Sequence, residues 1–299
     1  MSETIKVADF AAALLQLAKP LTSFDMPLLD AHGATLAEDV YAGERVVLKS
    51  GSRIRATQIG LAASLGLDHL PTRPQPRVVG ISAGADLTEP GQAIDERHSY
   101  ESNSWLLTTA VREAEAIGYR VHTIPDTTQE LKDLIEDQLV RADLVVISSG
   151  PHSVEMMRSA LNELGEIHER EIAMAPAGHH SYGLIGPDRT PVITLPSDPT
   201  GAYISCEIFV RPMIRQMLGR KNLSHRINSA ILDGELTFNA GVRTYVEAII
   251  THESNTLRVR AATDVDRAEA NGFIVVDEAN TSMRGGSEVS VMLVDRRAE

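Results

Sequence analysis

Apolar residues at the start of the chain recur at helical spacing. One amphipathic helix is predicted to end at Pro20, and its apolar face consists of Val7, Phe10, Leu14 and Leu17. Residues 22–74 then mix short apolar runs with glycines and other turn residues. This pattern predicts short strands and turns, with one short helix over residues 57–65.

From Arg77 onward, β-branched apolar runs alternate with longer amphipathic stretches. Strands are predicted over residues 78–81, 120–124, 144–147 and 192–195. Helices are predicted over residues 102–117 and 127–141, from Ser153 onward, and over residues 200–218. Such alternation is typical of an α/β fold whose central, mostly parallel sheet is flanked by helices on both faces.

The helical signal disappears after Arg220, and alternating strand patterns replace it. Strands are predicted over residues 242–250, 257–261, 273–276 and 289–294. We therefore expect a small all-β, barrel-like domain over residues 221–299. The α/β domain is expected over residues 76–220, and residues 1–75 are expected to combine the N-terminal helix with an irregular β-rich segment.

Composition narrows the functional classes. The chain has 299 residues, 43% of them hydrophobic, which is enough for a sizeable core. Its net charge of −13 argues against nucleic-acid binding, because phosphates require a cationic surface. No apolar run approaches the about 20 residues of a membrane span, and no leader pattern is seen, so we expect a cytoplasmic protein. The single cysteine, Cys206, is predicted to be a buried apolar residue.

In an open α/β sheet the ligand crevice lies beyond the carboxyl ends of the strands. Four loops are predicted to meet there, over residues 82–87, 98–103, 148–153 and 196–200. Ser153 and Thr200 can cap the helices that follow, which would orient free amides towards an anion. The acids predicted to face the crevice, as metal ligands or general bases, are Asp86, Glu101, Glu155 and Asp198.

Two other kinds of site receive little support. His152 and the pair His179 and His180 lack the spacing of a metal site, so no metal ligands are predicted. A hydrolase with Asp86 or Glu101 as its base is a weak alternative, since no G-x-S-x-G nucleophile motif accompanies them.

Several segments resemble, in order, those of the molybdopterin molybdenumtransferase family, the MoeA type that also includes the E domain of gephyrin. They are LLDAHGATLAEDV, GERVVLKSGSRIRATQIGLAASLG, RPQPRVVGISAGADL, YESNSWLL, DLVVISSGPHSVEMM, EIAMAPAGHHSYGLI and ITLPSDPTGAYISCEIFVRPMI. The resemblance covers nearly the whole chain. It implies a central domain of the molybdopterin-binding type and a homodimer.

The same comparison with the family's motifs exposes departures. The family inserts a domain after the segment that ends here at Val40, and in this chain Val40 passes through Tyr41 and Ala42 straight to Gly43 and Glu44. The family's S-T-G-D-E-L motif is substituted here at Ala85, and its S-G-G-V-S-V-G-D motif at Pro151, His152, Glu155 and Met156. The M-K-P-G-K-P motif is substituted at Ala175 and Gly178, and the L-P-G-N-P motif at Ser197 and Asp198. Two lysines and two aspartates are thereby lost, which leaves the crevice poorly suited to anions.

From these losses we predict a catalytically degenerate member of the family, without catalytic residues or a required cofactor, that acts as a dimeric scaffold or adaptor. The expected partner is an unidentified protein, for example a peptide tail of a cytoskeletal, tubulin-like or membrane protein, with Phe238 and Tyr245 as aromatic anchors. The alternative is a protein of molybdenum cofactor biosynthesis that binds molybdopterin or inserts molybdate, with molybdopterin, molybdate and Mg²⁺ as its ligands. The residues predicted to line the residual pterin crevice are Asp86, Glu101, Ser102, Asn103, Ser148, Ser149, Gly150, Ser153, Pro196, Ser197, Asp198 and Pro199.

Overall fold

The N-terminal helix packs on the central domain. The computed structural model describes residues 4–150, 152–253 and 256–294. Helix α1, Val7–Leu17, buries Phe10 edge-on against Tyr182 and Phe209, with ring centroids 5.3 and 4.8 Å apart. The helix therefore belongs to the core of the α/β domain, unlike its predicted grouping with residues 22–74. Its apolar face finds a deeper core there than the small segment that follows can supply.

That following segment has a core of its own. It contains strands β1 (Phe24–Pro27), β2 (Thr35–Leu36), β3 (Val40–Ala42), β4 (Arg45–Leu48) and β5 (His69–Arg73) and helix α2 (Ala56–Ser64). Strands β1, β5 and β2 form an antiparallel sheet, and β3 pairs with β4 in a hairpin. The buried apolar side chains include Leu36, Ile54 and Leu70.

The central domain is built on a six-stranded sheet in the order β11-β13-β14-β10-β6-β9. Its parallel strands are β6 (Arg77–Ala83), β9 (Ile117–Arg120), β10 (Leu144–Ser149) and β14 (Thr190–Leu195), and the antiparallel ones are β11 (Gly165–Glu171) and β13 (His179–Ile185). The short strands β7 (Leu87–Thr88), β8 (Ser99–Tyr100) and β12 (Met174–Ala175) lie in its loops. This arrangement confirms the predicted mostly parallel sheet.

Helices cover both faces of this sheet. They are α3 (Asn103–Glu113), α4 (Thr128–Leu139), α5 (Val154–Leu164), α6 (Pro199–Ser205) and α7 (Arg211–Met217), with a π-helical segment at Cys206–Val210. One apolar core contains Leu107, Ile193 and Phe209, and a second contains Val79, Ile135 and Ile147. The α/β fold class is confirmed, because helices pack against both faces of the sheet.

Two strands, β13 and the one at Ile227–Leu232, are not among those predicted, and three further elements differ from the predictions. The strand predicted over residues 120–124 lies instead at Ile117–Arg120, because α3 ends at Glu113 and the positive φ of Glu115, 76°, turns the chain into the sheet edge early. Strand β11 was missed because its polar, partly exposed sequence resembles a loop at this edge position. The helix predicted over residues 200–218 is interrupted by the π-helical segment.

The C-terminal strands close into a ring. The elements are β15 (Ile227–Leu232), β16 (Leu236–Thr237), β17 (Arg243–Glu253), β18 (Thr256–Ala261), a 3₁₀ turn at Arg267–Glu269, β19 (Gly272–Val276), β20 (Ser282–Met283) and β21 (Glu288–Leu293). Strands pair in the order β17-β18-β15-β21-β19, and β19 pairs again with β17. The small all-β C-terminal region is therefore confirmed as a barrel-like domain. No helix within the described residues is long and apolar enough to cross a membrane.

We predict that Gly183→Ala destabilises the protein by about 2 kcal/mol or more, because a methyl group there would overlap the backbone carbonyl of Glu166 on the paired strand. Gly60→Ala is the matched control. Gly60 lies within α2 with no atom near its missing Cβ, so alanine should stabilise the helix by about 0.5–1 kcal/mol. Urea unfolding of both variants measures the two effects, and equal stabilities would contradict the predicted close approach.

Candidate functional site

A crevice of about 250 Å³ lies beyond the carboxyl ends of β6 and β10. All of the predicted crevice residues line it except Ser153 and Pro196. Four lining residues were not predicted, namely Ser82, Leu87, Ser99 and Tyr100. Each lies in a loop, or at a strand end, already predicted to reach the crevice. The position of these loops in the sequence could therefore have indicated the four residues, whereas their side-chain types alone could not.

Glu101 forms the centre of a buried network at the back of this crevice. Its side chain is 1% exposed. The Ser82 hydroxyl donates to Oε1 at 2.6 Å, and Ser104 donates through its backbone N–H to Oε1 at 2.7 Å and through its hydroxyl to Oε2 at 2.5 Å. The Arg120 guanidinium lies 3.4 Å from Oε2 and also pairs with Glu89. Because these groups occupy both carboxylate oxygens, Glu101 has a structural role and is not positioned as a general base.

Asp86 is the acid of the crevice whose side chain remains available. Its Oδ1 is buried and accepts no hydrogen bond from any residue in the described part of the chain. The carboxylate lies against the Cα of Gly150, where a Cβ would fall 2.7 Å from Oδ2. A buried carboxylate oxygen without a donor is costly, and Asp86 is thus the acid of the crevice that no group among the described residues compensates.

The helix caps differ from the predicted ones. Asp198 caps α6 by accepting from the backbone N–H of Gly201 at 2.7 Å, and Pro199 occupies the first helical position. Thr200 therefore lies inside the helix and does not cap it. Ser153 occupies the cap position of α5 but makes no side-chain capping bond. The side-chain amide of Asn103 donates to the Ser197 carbonyl at 2.9 Å, which ties the start of α3 to this loop.

The structure does not place Glu155 in the crevice. Its carboxylate is 75% exposed and pairs with Arg158 at 2.7 Å, because the first turn of α5 turns it outward. No group of three His, Cys, Asp or Glu side chains that could hold a metal ion occurs within residues 4–150, 152–253 and 256–294. Since Glu101 and Asp198 are already hydrogen-bonded, the crevice offers a single available carboxylate. These residues do not fit a resident Mg²⁺, which needs a nearly complete octahedron of oxygens.

A second cavity of about 260 Å³ adjoins the crevice through Ser149 and Ser197. Its wall combines side chains of α5 and β11 with Ala177, Gly178 and His179. Gly178, at a lysine position of the family's M-K-P-G-K-P motif, therefore presents no cation here. Ala177, at that motif's glycine position, has a φ of 75°, a conformation that costs an L-residue about 1–2 kcal/mol. Pro151, another departure from the family, lies outside the described residues.

The histidine pair does not form a metal site. His180 is fully buried between Phe10 and Phe209, and its Nε2 is 3.0 Å from the Ser205 hydroxyl. His179 faces the second cavity, as expected for neighbours on a strand. Burial, with a smaller effect from His179, lowers the pKa of His180 to about 3, so that the ring is neutral.

The structure does not support Tyr245 as an anchor for a partner. Tyr245 is 7% exposed and belongs to the core that joins the barrel to the central domain. Phe238 is half-buried against the apolar core of the barrel. Cys206 is buried as predicted, and burial raises the pKa of its thiol.

Comparisons with known proteins agree with this architecture. Residues 81–216 match the family described as a probable molybdopterin binding domain. Molybdopterin molybdenumtransferase 1 of Mycobacterium tuberculosis is 32% identical over 267 residues, which cover 85% of this chain and 62% of that protein. Gephyrin of Dictyostelium discoideum is 25% identical over 231 residues, which cover 67% of this chain and 32% of that protein. The chain thus spans less than two thirds of the length of either relative.

A solved structure shows the same fold. The molybdopterin biosynthesis MoeA protein from Pyrococcus horikosii superposes with a TM-score of 0.83 at 19% identity, covering 98% of this chain and 100% of that chain. At this identity the comparison supports the fold alone.

We predict that His180 makes the fold sensitive to acid. The unfolded chain binds a proton at His180 near pH 6.5, whereas the folded chain does so only near pH 3. The contribution of the neutral His180 ring to the free energy of unfolding is therefore fully present above pH 6.5, and it declines as the pH falls towards 3. By pH 5 the loss is about 2 kcal/mol. His180→Gln remains neutral and should unfold with a pH dependence weaker by that amount.

The measurement is the free energy of unfolding between pH 5 and pH 7.5. His252→Gln, at an exposed histidine of the barrel, is the control and should follow the unmodified protein. If His180→Gln has the same pH dependence as the unmodified protein, the ring is not held neutral by burial.

Proposed function

The chain is a MoeA-like family member, and on this premise we propose that it serves molybdenum cofactor biosynthesis by binding molybdopterin without inserting molybdate on its own. Its relatives are named as molybdopterin molybdenumtransferases and gephyrin. In this function the crevice still binds the pterin, whereas the transferase reaction is lost. The protein would thus act in the pathway of its relatives without catalysing their reaction.

The charge of the crevice carries the proposal. Asp86 and Asp198 line it together with Glu101, whose charge is offset by Arg120, and none of its lining residues in the described chain is a lysine, arginine or histidine. Phosphorylated pterins and oxyanions are stabilised by cations in their site. A like-charge pair roughly 5 Å apart costs about 3 kcal/mol at an effective dielectric constant of about 20. This cost favours weak pterin binding and disfavours holding molybdate beside it.

The second support is the hairpin of β3 and β4. By resemblance, the family carries its inserted domain just after Val40. Here Val40 pairs with Leu48, and Ala42 pairs with Arg45 across a turn at Gly43 and Glu44. Side chains that the inserted domain would direct to the reaction are therefore absent from this position of the sequence. A complete site would require those groups from another protein.

Partner binding is the second candidate function, and exposed aromatic residues beside the crevice favour it. Tyr100 is 48% exposed, and Trp105 is 50% exposed with the Arg120 guanidinium 4.1 Å from its ring centroid. Such residues often anchor protein partners. With Tyr245 buried, these two replace it as the anchors expected of a scaffold.

We predict that the purified protein is a homodimer, as the resemblance implies. Analytical ultracentrifugation should give the mass of two chains at micromolar concentration. A single 32.4 kDa species at that concentration would contradict the dimer, and with it the bivalent scaffold.

We further predict that molybdopterin binds saturably, at least tenfold more weakly than to the molybdopterin molybdenumtransferase 1 of Mycobacterium tuberculosis. No turnover of adenylated molybdopterin with molybdate is expected under conditions in which that relative is active. Calorimetric titration and a turnover assay test the two parts separately. Turnover within tenfold of the relative would overturn the proposed loss of the reaction, and the absence of saturable heat would overturn the retained binding.

Asp86→Asn sharpens this experiment. Removal of one negative charge from the crevice should tighten binding of the phosphorylated pterin several-fold, because like-charge repulsion falls. Asp264→Asn, at a side chain 97% exposed in the barrel, makes the same change in net charge and should leave the affinity unchanged. Equal affinities of all three proteins would show that the ligand does not occupy the crevice.

A further inference from the structure

A third cavity, of about 680 Å³, lies where the central domain meets the barrel. It is bounded by α7, by residues 221–228 and by the end of β21. Its position differs from that of the crevice, with which it shares no lining residue. The lining residues are Arg211, Arg215, Lys221, Asn222, Leu223, Ser224, His225, Arg226, Asn228, Leu293 and Val294.

The charge of this cavity is opposite to that of the protein. The chain has a net charge of −13, yet three arginines, one lysine and one histidine line the cavity. None of the lining residues in the described chain is an aspartate or glutamate. Cations concentrated in a concave site raise the local concentration of anions and bind them more strongly than a flat surface does.

The base of the cavity is preorganised. Arg211 is 5% exposed, and its guanidinium lies 3.5 Å from the carboxylate of Glu207. The same carboxylate also contacts His225. The buried carboxylate of Glu207 thereby fixes two of the basic side chains. Its single negative charge is shared between Arg211 and His225. Fixed donors lose little entropy when they bind a ligand.

The rim supplies cations that have no acidic partner. Lys221 and Arg226 are exposed, and neither forms an ion pair with any residue of the described ranges. Arg215 is held differently, because its Nε donates to the Asn222 carbonyl at 2.6 Å and joins α7 to the rim segment. The two exposed cations are therefore available to neutralise an anion from solution.

We propose that this cavity binds a phosphate group of a small molecule, with Arg211 at the base and Lys221 and Arg226 at the rim. Guanidinium groups match the geometry of phosphate oxygens, and the side chains of Asn222, Ser224 and Asn228 add hydrogen-bonding capacity. Leu223, Leu293 and Val294 offer apolar surface to an organic group attached to the phosphate. The volume is typical of small-molecule sites. This proposal does not rest on the function proposed for the crevice.

The test is calorimetric titration of the full chain with inorganic pyrophosphate at 150 mM chloride. Saturable binding is expected, and Lys221→Glu/Arg226→Glu should weaken it at least thirtyfold. Arg189→Glu/Arg284→Glu is the matched control, because it makes the same change in net charge at exposed arginines outside the cavity. Arg284 follows β20, near the end of β15 opposite to the cavity. The control should bind pyrophosphate as the unmodified protein does.

Both double variants change exposed side chains, and thermal unfolding midpoints close to that of the unmodified protein are the check that they are folded. Absence of saturable heat in the unmodified protein, or equal affinity in the Lys221→Glu/Arg226→Glu protein, would overturn the proposal. A parallel titration compares ATP with tripolyphosphate. Tighter binding of ATP would show that the apolar wall contacts an organic group attached to the phosphates. Equal affinities would show that the site contacts the phosphate chain alone.

Discussion

The carboxylate of Glu101 joins the elements on which the crevice depends. Ser82 at the end of β6, Ser104 in the first turn of α3 and Arg120 at the end of β9 all contact it. Ser82 extends the network to Ser148 of β10 through a hydroxyl contact of 3.0 Å. A buried carboxylate left without these partners would cost several kcal/mol. The network therefore constrains three strands and one helix to a single geometry, independently of any ligand.

This constraint holds the shape of the crevice independently of several positions at which the chain departs from the family's motifs. Substitutions at Ala85, Gly178 and Met156 alter groups outside the Glu101 network, so the loops can retain their positions. The crevice is lined by Asp86, Glu101 and Asp198, whereas five basic side chains line the cavity at the junction of α7 and the barrel. In a protein of net charge −13, a cluster of basic side chains is the region whose local potential most favours an anion.

Much of this organisation could be predicted from the sequence because strand and helix periodicities are strong in the central domain. Runs such as residues 144–147 are buried on both faces and leave little alternative to a central strand. The loops that follow such strands must share one edge of the sheet, and this topology located the crevice. The individual side chains were harder to place. Glu101 and Glu155 are both acids at loop ends, but one has three donors within reach and the other has solvent and Arg158.

The remaining errors share a physical cause, which is that tertiary contacts decide what local patterns leave open. Tyr245 alternates with its neighbours as a surface strand residue would, yet the face it occupies packs against the central domain. Its burial also raises the pKa of its hydroxyl group. Strand β12 is a second case in which a tertiary contact decides local structure. This two-residue segment of the central domain pairs in parallel with β17 of the barrel. Because Met174 and Ala175 are fixed to the barrel, the adjoining loop with Ala177 at positive φ is determined by both domains together. The second cavity beside the crevice therefore depends on the seating of the barrel, although the barrel contributes none of its lining residues.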